Sequence, residues 1–128
     1  MNLIDWTIHY IDYLNNFKKN LLEKDTLGNK ITCKFNNDTE LVYVISEDLD
    51  IQNIQKKTIL VVLNSEKNLE YLIKNWIKFT KEDKLKIIFV NNLLNLQWSI
   101  IPYLHDKFSD PDNLSNGLIS LSNSVPKI

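Results

Sequence analysis

The chain has 128 residues, 44% apolar and 24% charged, with a net charge of -1, proportions that suit one globular α/β domain over 1–128. That charge creates no global field to recruit nucleic acid or an anionic membrane, so neither is an expected partner. All 15 basic residues are Lys, and without an Arg fork for phosphate or guanine, phosphoryl transfer and direct base readout are disfavoured as well.

Ala is absent, and Asn, Ile, Lys and Leu are abundant, as in a low-GC coding sequence. Cys33 is the single cysteine, which excludes an internal disulfide and a multi-Cys zinc site. Within KITCKF it reads as a half-buried structural thiol. The opening MNLIDWTIHYIDYL carries Asp5 and Asp12 without a basic leader, so it is not read as a secretory signal. No apolar run approaches a membrane span. The expected location is the reducing cytoplasm.

In chain order, apolar residues at spacings of three, four and seven from Leu3 through Tyr10, Leu14 and Phe17 to Leu21 predict a helix over 3–23. DTLGNK (25–30) is a turn on Gly28. KITCKF (30–35) and ELVYVIS (40–46), joined by a polar link of hairpin length, predict two antiparallel strands. SEDLDIQNIQKK (46–57) is a polar connector with room for one helical turn. TILVVLN (58–64) and LKIIFVN (85–91) are continuous apolar runs, as expected of strands covered on both faces. Val61, Val62, Ile88 and Phe89 should form the centre of the core. Between these runs Ser65 caps a helix with Leu69, Leu72, Ile73, Trp76 and Ile77 inward. This is a βαβ unit, so its strands should be parallel and its crossover right-handed. A loop then leads from Asn92 to Trp98, a short helix starts at Pro102, and Asp110 with Pro111 opens a last helix striped by Leu114, Leu118 and Leu121.

The order α-β-β-β-α-β-α-α predicts a mixed four-stranded sheet, an antiparallel hairpin beside a parallel βαβ unit, with helices on both faces. The first six elements resemble the core order of the PD-(D/E)xK nucleases, and the resemblance is one of order alone. Such enzymes need an acid near the second strand and an acid-x-Lys set on the third, to hold magnesium and orient water. Glu47, Asp48 and Asp50 end the second strand here, but TILVVLN has no acid. Glu82, Asp83 and Lys84 lie instead in the turn before the last strand.

There is no Gly-rich phosphate loop, no nucleophile elbow and no His-x-x-His pair. No catalytic residue, cofactor or metal is assigned. His9, beside Asp5, Asp12 and Tyr13, reads as a surface histidine. His105 is the stronger candidate because Asp106 or Asp110 could orient it as a general acid-base group. Ligands of open parallel sheets bind beyond the carboxyl ends of the strands. Asn91, Asn92, Trp98, Tyr103, His105 and Asp106 are therefore the candidate binding set.

The first functional expectation is a non-enzymatic module that binds or regulates another protein, or self-associates. The second is a small enzyme or ligand-binding protein with a pocket around His105. The third is an inactive nuclease-like domain in a nucleic-acid process.

Overall fold

A computed structural model describes residues 1–128. It is a mixed α/β fold built on one six-stranded sheet whose strands lie side by side in chain order. Helix α1, Leu3–Lys18, begins where the Asn2 side chain accepts from the Asp5 N–H at 2.8 Å, a cap for one of the orphan donors of the first turn. Leu3, Trp6, Thr7 and Ile11 form its buried face.

The helix stops five residues short of the expected boundary, because Lys19 turns left-handed at φ 50°. Leu21 and Leu22, which had extended the helical stripe, belong to strand β1, Leu21–Leu27. β1 folds back through a tight turn at Gly28, φ +60°, onto β2, Lys30–Phe35. The turn is thus narrower than DTLGNK suggested. β2 forms the expected antiparallel hairpin with β3, Glu40–Ile45.

The connector 46–57 crosses without a helical turn and is pinned by Leu49, which is buried. It delivers β4, Thr58–Leu63, parallel to β3. Ser65 then caps α2, Glu66–Lys74, accepting from the Asn68 N–H at 3.1 Å. At Asn75, with φ -108° and ψ 20°, the helix breaks, and α3, Trp76–Thr80, follows. The break buries Trp76 and Phe79 and turns Ile77 out to solvent, against the expected stripe. β5, Leu85–Asn91, lies parallel to β4, as the βαβ pattern predicted.

The segment read as a loop to Trp98 is a hairpin instead: β6, Leu96–Ile100, pairs antiparallel with β5. The sheet therefore has six strands rather than four, the two unread ones being its edges. α4, Pro102–Phe108, starts at its proline as expected. Asp110 accepts from the Asp112 N–H at 3.0 Å, but it caps a single 3-10 turn, Pro111–Asn113, ahead of α5, Leu114–Ser122. Leu118 is buried, while Leu121 is 38% exposed.

The corrected order is α-β-β-β-β-α-α-β-β-α-α. The third strand is now Glu40–Ile45, where Val42 stands two residues after Glu40, so the acid-x-Lys pattern is missing there too. The nuclease resemblance in element order disappears with the correction.

Two cores sandwich the sheet. On one face Leu60, Val62, Ile87 and Phe89 pack with α2, α3, Trp98 and Leu118. On the other, Ile59, Val61, Ile88 and Val90 pack beneath α1 with Ile31, Cys33 and Tyr43. Helices thus cover both faces, and Val61, Val62, Ile88 and Phe89 are at most 2% exposed. Cys33 is fully rather than half buried, and burial pushes its thiol up from the ordinary range.

Candidate functional site

The six residues singled out in the sequence fall into two groups at opposite ends of β5. Asn91 and Asn92 stand at its carboxyl end. Asn91 is buried; its Nδ2 donates to the Pro126 carbonyl at 3.0 Å, and its Oδ1 accepts from the Leu93 and Leu94 N–H groups, both at 3.1 Å. It thereby closes the β5–β6 turn. Asn92 donates to the Met1 carbonyl at 2.7 Å and ties the amino terminus to the same turn.

Trp98 stacks on Phe89, ring centroids 4.3 Å apart, and its Nε1 donates to the Asn64 Oδ1 at 2.9 Å. Asn64, also buried, donates in turn to the Val125 and Pro126 carbonyls, and its own carbonyl accepts from the Ile128 N–H at 2.9 Å. The last four residues have no regular structure, and two asparagine amides supply donors to the buried Val125 carbonyl and the part-buried Pro126 carbonyl. The carboxyl end of the parallel strands, where open sheets bind ligands, is filled by the chain's own tail.

Tyr103, His105 and Asp106 lie on α4, at the other end. β6 runs antiparallel to β5, so α4 leaves from beside Lys86, about 17 Å along the strand from Asn91 at about 3.3 Å per residue. Asp106 does not orient His105. It accepts from the Trp76 Nε1 at 3.1 Å, and the half-buried His105 packs edge-on against the Trp76 ring, centroids 5.7 Å apart. Lys107 sits 4.1 Å over the Tyr103 ring. The set therefore makes two structural junctions and does not converge on one pocket. No three His, Cys, Asp or Glu side chains group closely enough to hold a metal ion.

The surface around α4 is nevertheless distinctive. Leu104, His105 and Phe108 line an open groove with Ser99 and Ile100 of β6. Phe108 is 88% exposed, and Leu93, Leu94 and Leu96 are exposed at the other end of the same hairpin. β6 pairs with β5 on one side only. It reads LQWSI, with no charge and no bulge.

The other edge differs. β1 reads LLEKDTL, its register slips between Leu21 and Glu23, and Lys24 pairs with Asp12 of α1 at 3.0 Å. Charges and bulges are the usual guards of a free edge, and β6 has neither.

Sequence reasoning missed a second cleft, of about 370 Å³, between α1 and the hairpin. Trp6, His9, Tyr10, Tyr13, Asn95 and Gln97 line it. Trp6 stacks on Tyr10 and donates through Nε1 to the Asn95 Oδ1 at 2.8 Å. Asn95 holds φ at 55°, and the His9 Nδ1 lies 3.0 Å from the Met1 Sδ. Trp6 and His9 are three residues apart on one helix face, a visible signal, but their meeting with Asn95 depends on an unread hairpin.

The fold defines a mixed α/β class with one mixed six-stranded sheet whose strands lie in chain order. No protein-family model, no curated protein and no solved structure matches the chain. No helix is long and apolar enough to cross a membrane.

Proposed function

We propose that the protein is a non-catalytic α/β module that binds another protein, or a second copy of itself, along the free edge of β6. The observation that carries this reading is the contrast between the two sheet edges: β1 is charged and bulged, whereas β6 is uncharged, regular and flanked by exposed apolar side chains. An extended partner segment can add to such an edge, its backbone pairing with β6 and alternate apolar side chains meeting Leu94 and Leu96 at one end and Leu104 and Phe108 at the other. His105 then belongs to the rim of a partner site, and the hydrogen bond from Trp76 to Asp106 holds α4 in place beneath it.

The test pairs the native chain with a Ser99→Lys/Phe108→Ser variant, which places a charge on the edge and removes the largest exposed ring. Affinity capture from the native organism and light scattering of the purified protein are run on both. The expected result is a stoichiometric partner or a dimer with the native chain, lost in the variant at unchanged melting temperature. Equal recovery by both chains, or neither partner nor dimer, sinks the reading.

A further inference from the structure

A third cleft, of about 320 Å³, opens at the amino end of the parallel strands, beneath the C-terminal half of α1. Lys18 reaches it from the helix, Lys57 from the start of β4, and Lys84 and Lys86 from the start of β5. Asp83 is the one carboxylate among its lining residues. None of these four lysines is in an ion pair; the chain's salt bridges engage Lys24, Lys34, Lys56 and Lys67. Four ammonium groups against one carboxylate leave a local excess of three positive charges in a protein whose net charge is -1.

A second, independent feature sits at the base of the cleft. Tyr43 of β3 is only 2% exposed, and its hydroxyl makes no hydrogen bond within the chain. Every fully buried side-chain nitrogen and oxygen in the molecule has a partner. The Tyr43 hydroxyl is therefore not sealed in the core: it is a donor without an acceptor in the chain, on a residue that lines this cleft and a smaller one of about 70 Å³ that shares Leu14, Lys18 and Leu41 with it. Leu14, Leu41, Ile59 and Ile101 supply an apolar wall.

We propose that this cleft binds a small organic acid, its carboxylate held by Lys18, Lys57 and Lys86 with a hydrogen bond from Tyr43, and its apolar body laid along Leu14, Leu41 and Ile101. Lysines without planar forks recognise the head as point charges, and the wall accounts for selection of an amphipathic anion over an inorganic one. Lys86 is held below the usual lysine range, first by burial and then by Lys18, and a bound carboxylate favours its charged form and so opposes both effects. The inference is independent of the β6 edge.

The test is a titration followed by ¹H–¹⁵N spectra, with octanoate as probe, octan-1-ol as its uncharged counterpart and inorganic phosphate as a head group without a tail. Octanoate is expected to give saturable shifts at the amides of Leu41–Tyr43, Thr58–Leu60 and Leu85–Ile87. Affinity should fall about tenfold or more in Lys86→Gln and measurably in Tyr43→Phe. Should Lys86→Gln not fold, Lys57→Gln, at an exposed position, carries the same expectation. Octanol or phosphate binding as tightly as octanoate overturns the proposal. So does octanoate binding that both substitutions leave unchanged, or the absence of saturable shifts up to about 10 mM, a ligand concentration corresponding to only about 3 kcal/mol of binding.

Discussion

The two ends of the β4–β5 pair are built from the same strands and have opposite character. The carboxyl end is closed: Asn64, Asn91 and Trp98 spend their polar groups on the tail, on the β5–β6 turn and on one another. The amino end is open: Lys57, Lys84 and Lys86 gather there with Lys18 and an unbonded Tyr43. Asparagines at strand ends carry the chemistry of ligand donors, yet here each amide answers a backbone group of an irregular segment. The lysines, scattered through the sequence, are left without a carboxylate partner, and only Lys84 has a hydrogen bond, donated to the Gln55 carbonyl at 3.4 Å. A polar group marks a site when the fold leaves it unsatisfied, and the position of the residue in the sheet does not decide that by itself.

The largest expected effect lies in the strand both ends share. Phe89→Ala removes a fully buried ring stacked on Trp98 and should cost about 3–5 kcal/mol in denaturant unfolding. A loss under about 1 kcal/mol would mean that the core on the α2 face is not packed as described. Next comes the closed end. Asn64→Ala orphans the Trp98 Nε1 and the Val125 carbonyl, while the Pro126 carbonyl keeps its bond from Asn91, and two such groups at about 1–3 kcal/mol each should lower stability by about 2–4 kcal/mol, since part of the tail can reach water. Hydrogen exchange at Ile128, whose N–H donates to the Asn64 backbone carbonyl, should accelerate in the same variant because the tail loses its side-chain anchor. An unchanged exchange rate would show that the tail is held by something other than this amide.

The smallest effect distinguishes the open end and depends on pH. Burial raises the Tyr43 phenol above its ordinary value near 10. Below that value the phenol is neutral in both folded and unfolded chains. Above it the unfolded chain releases the proton first, so stability is lost as pH rises through the folded-state value. Cys33, raised from 9.0, acts in the same direction, while Lys86, lowered from 10.5, acts in the opposite one as pH climbs towards its unfolded value. Tyr43→Phe removes only the first contribution. It should change stability little at neutral pH and flatten the alkaline limb above about pH 10, measured as melting temperature against pH. An identical alkaline limb in the variant would show that Tyr43 is not the group whose burial is felt there.

The hairpin, the βαβ unit and the Ser65 cap were legible because each rests on a local rule. Apart from Thr58, Lys86 and Asn91 at their ends, TILVVL and LKIIFVN are apolar in both phases of the alternation, as a strand covered on both faces requires, and the structure buries both. The edges were not legible. β1 pairs on one side and keeps most of its side chains in water, so Leu21 and Leu22 fitted the end of a helical stripe as well as the start of a strand. β6 is five residues long and shows only Trp98 and Ile100 to the core, too short a pattern to separate from a loop. The outward position of Ile77 was not legible because the helical stripe is interrupted at Asn75, after which Trp76 and Phe79 are the buried residues.

The sequence by itself therefore determined the central strands, the helices that cover both faces of the sheet, and the absence of a net positive field. These follow from local periodicity, capping and charge. Only the tertiary structure decided which polar residues are consumed and which remain free. His105 and Asp106 are neighbours in the chain, yet each meets Trp76, while Lys18 and Lys86 are far apart in the chain and share a cleft. Hydrogen-bond satisfaction and charge proximity are properties of distance in space, and contacts between distant segments have no counterpart in the order of the residues.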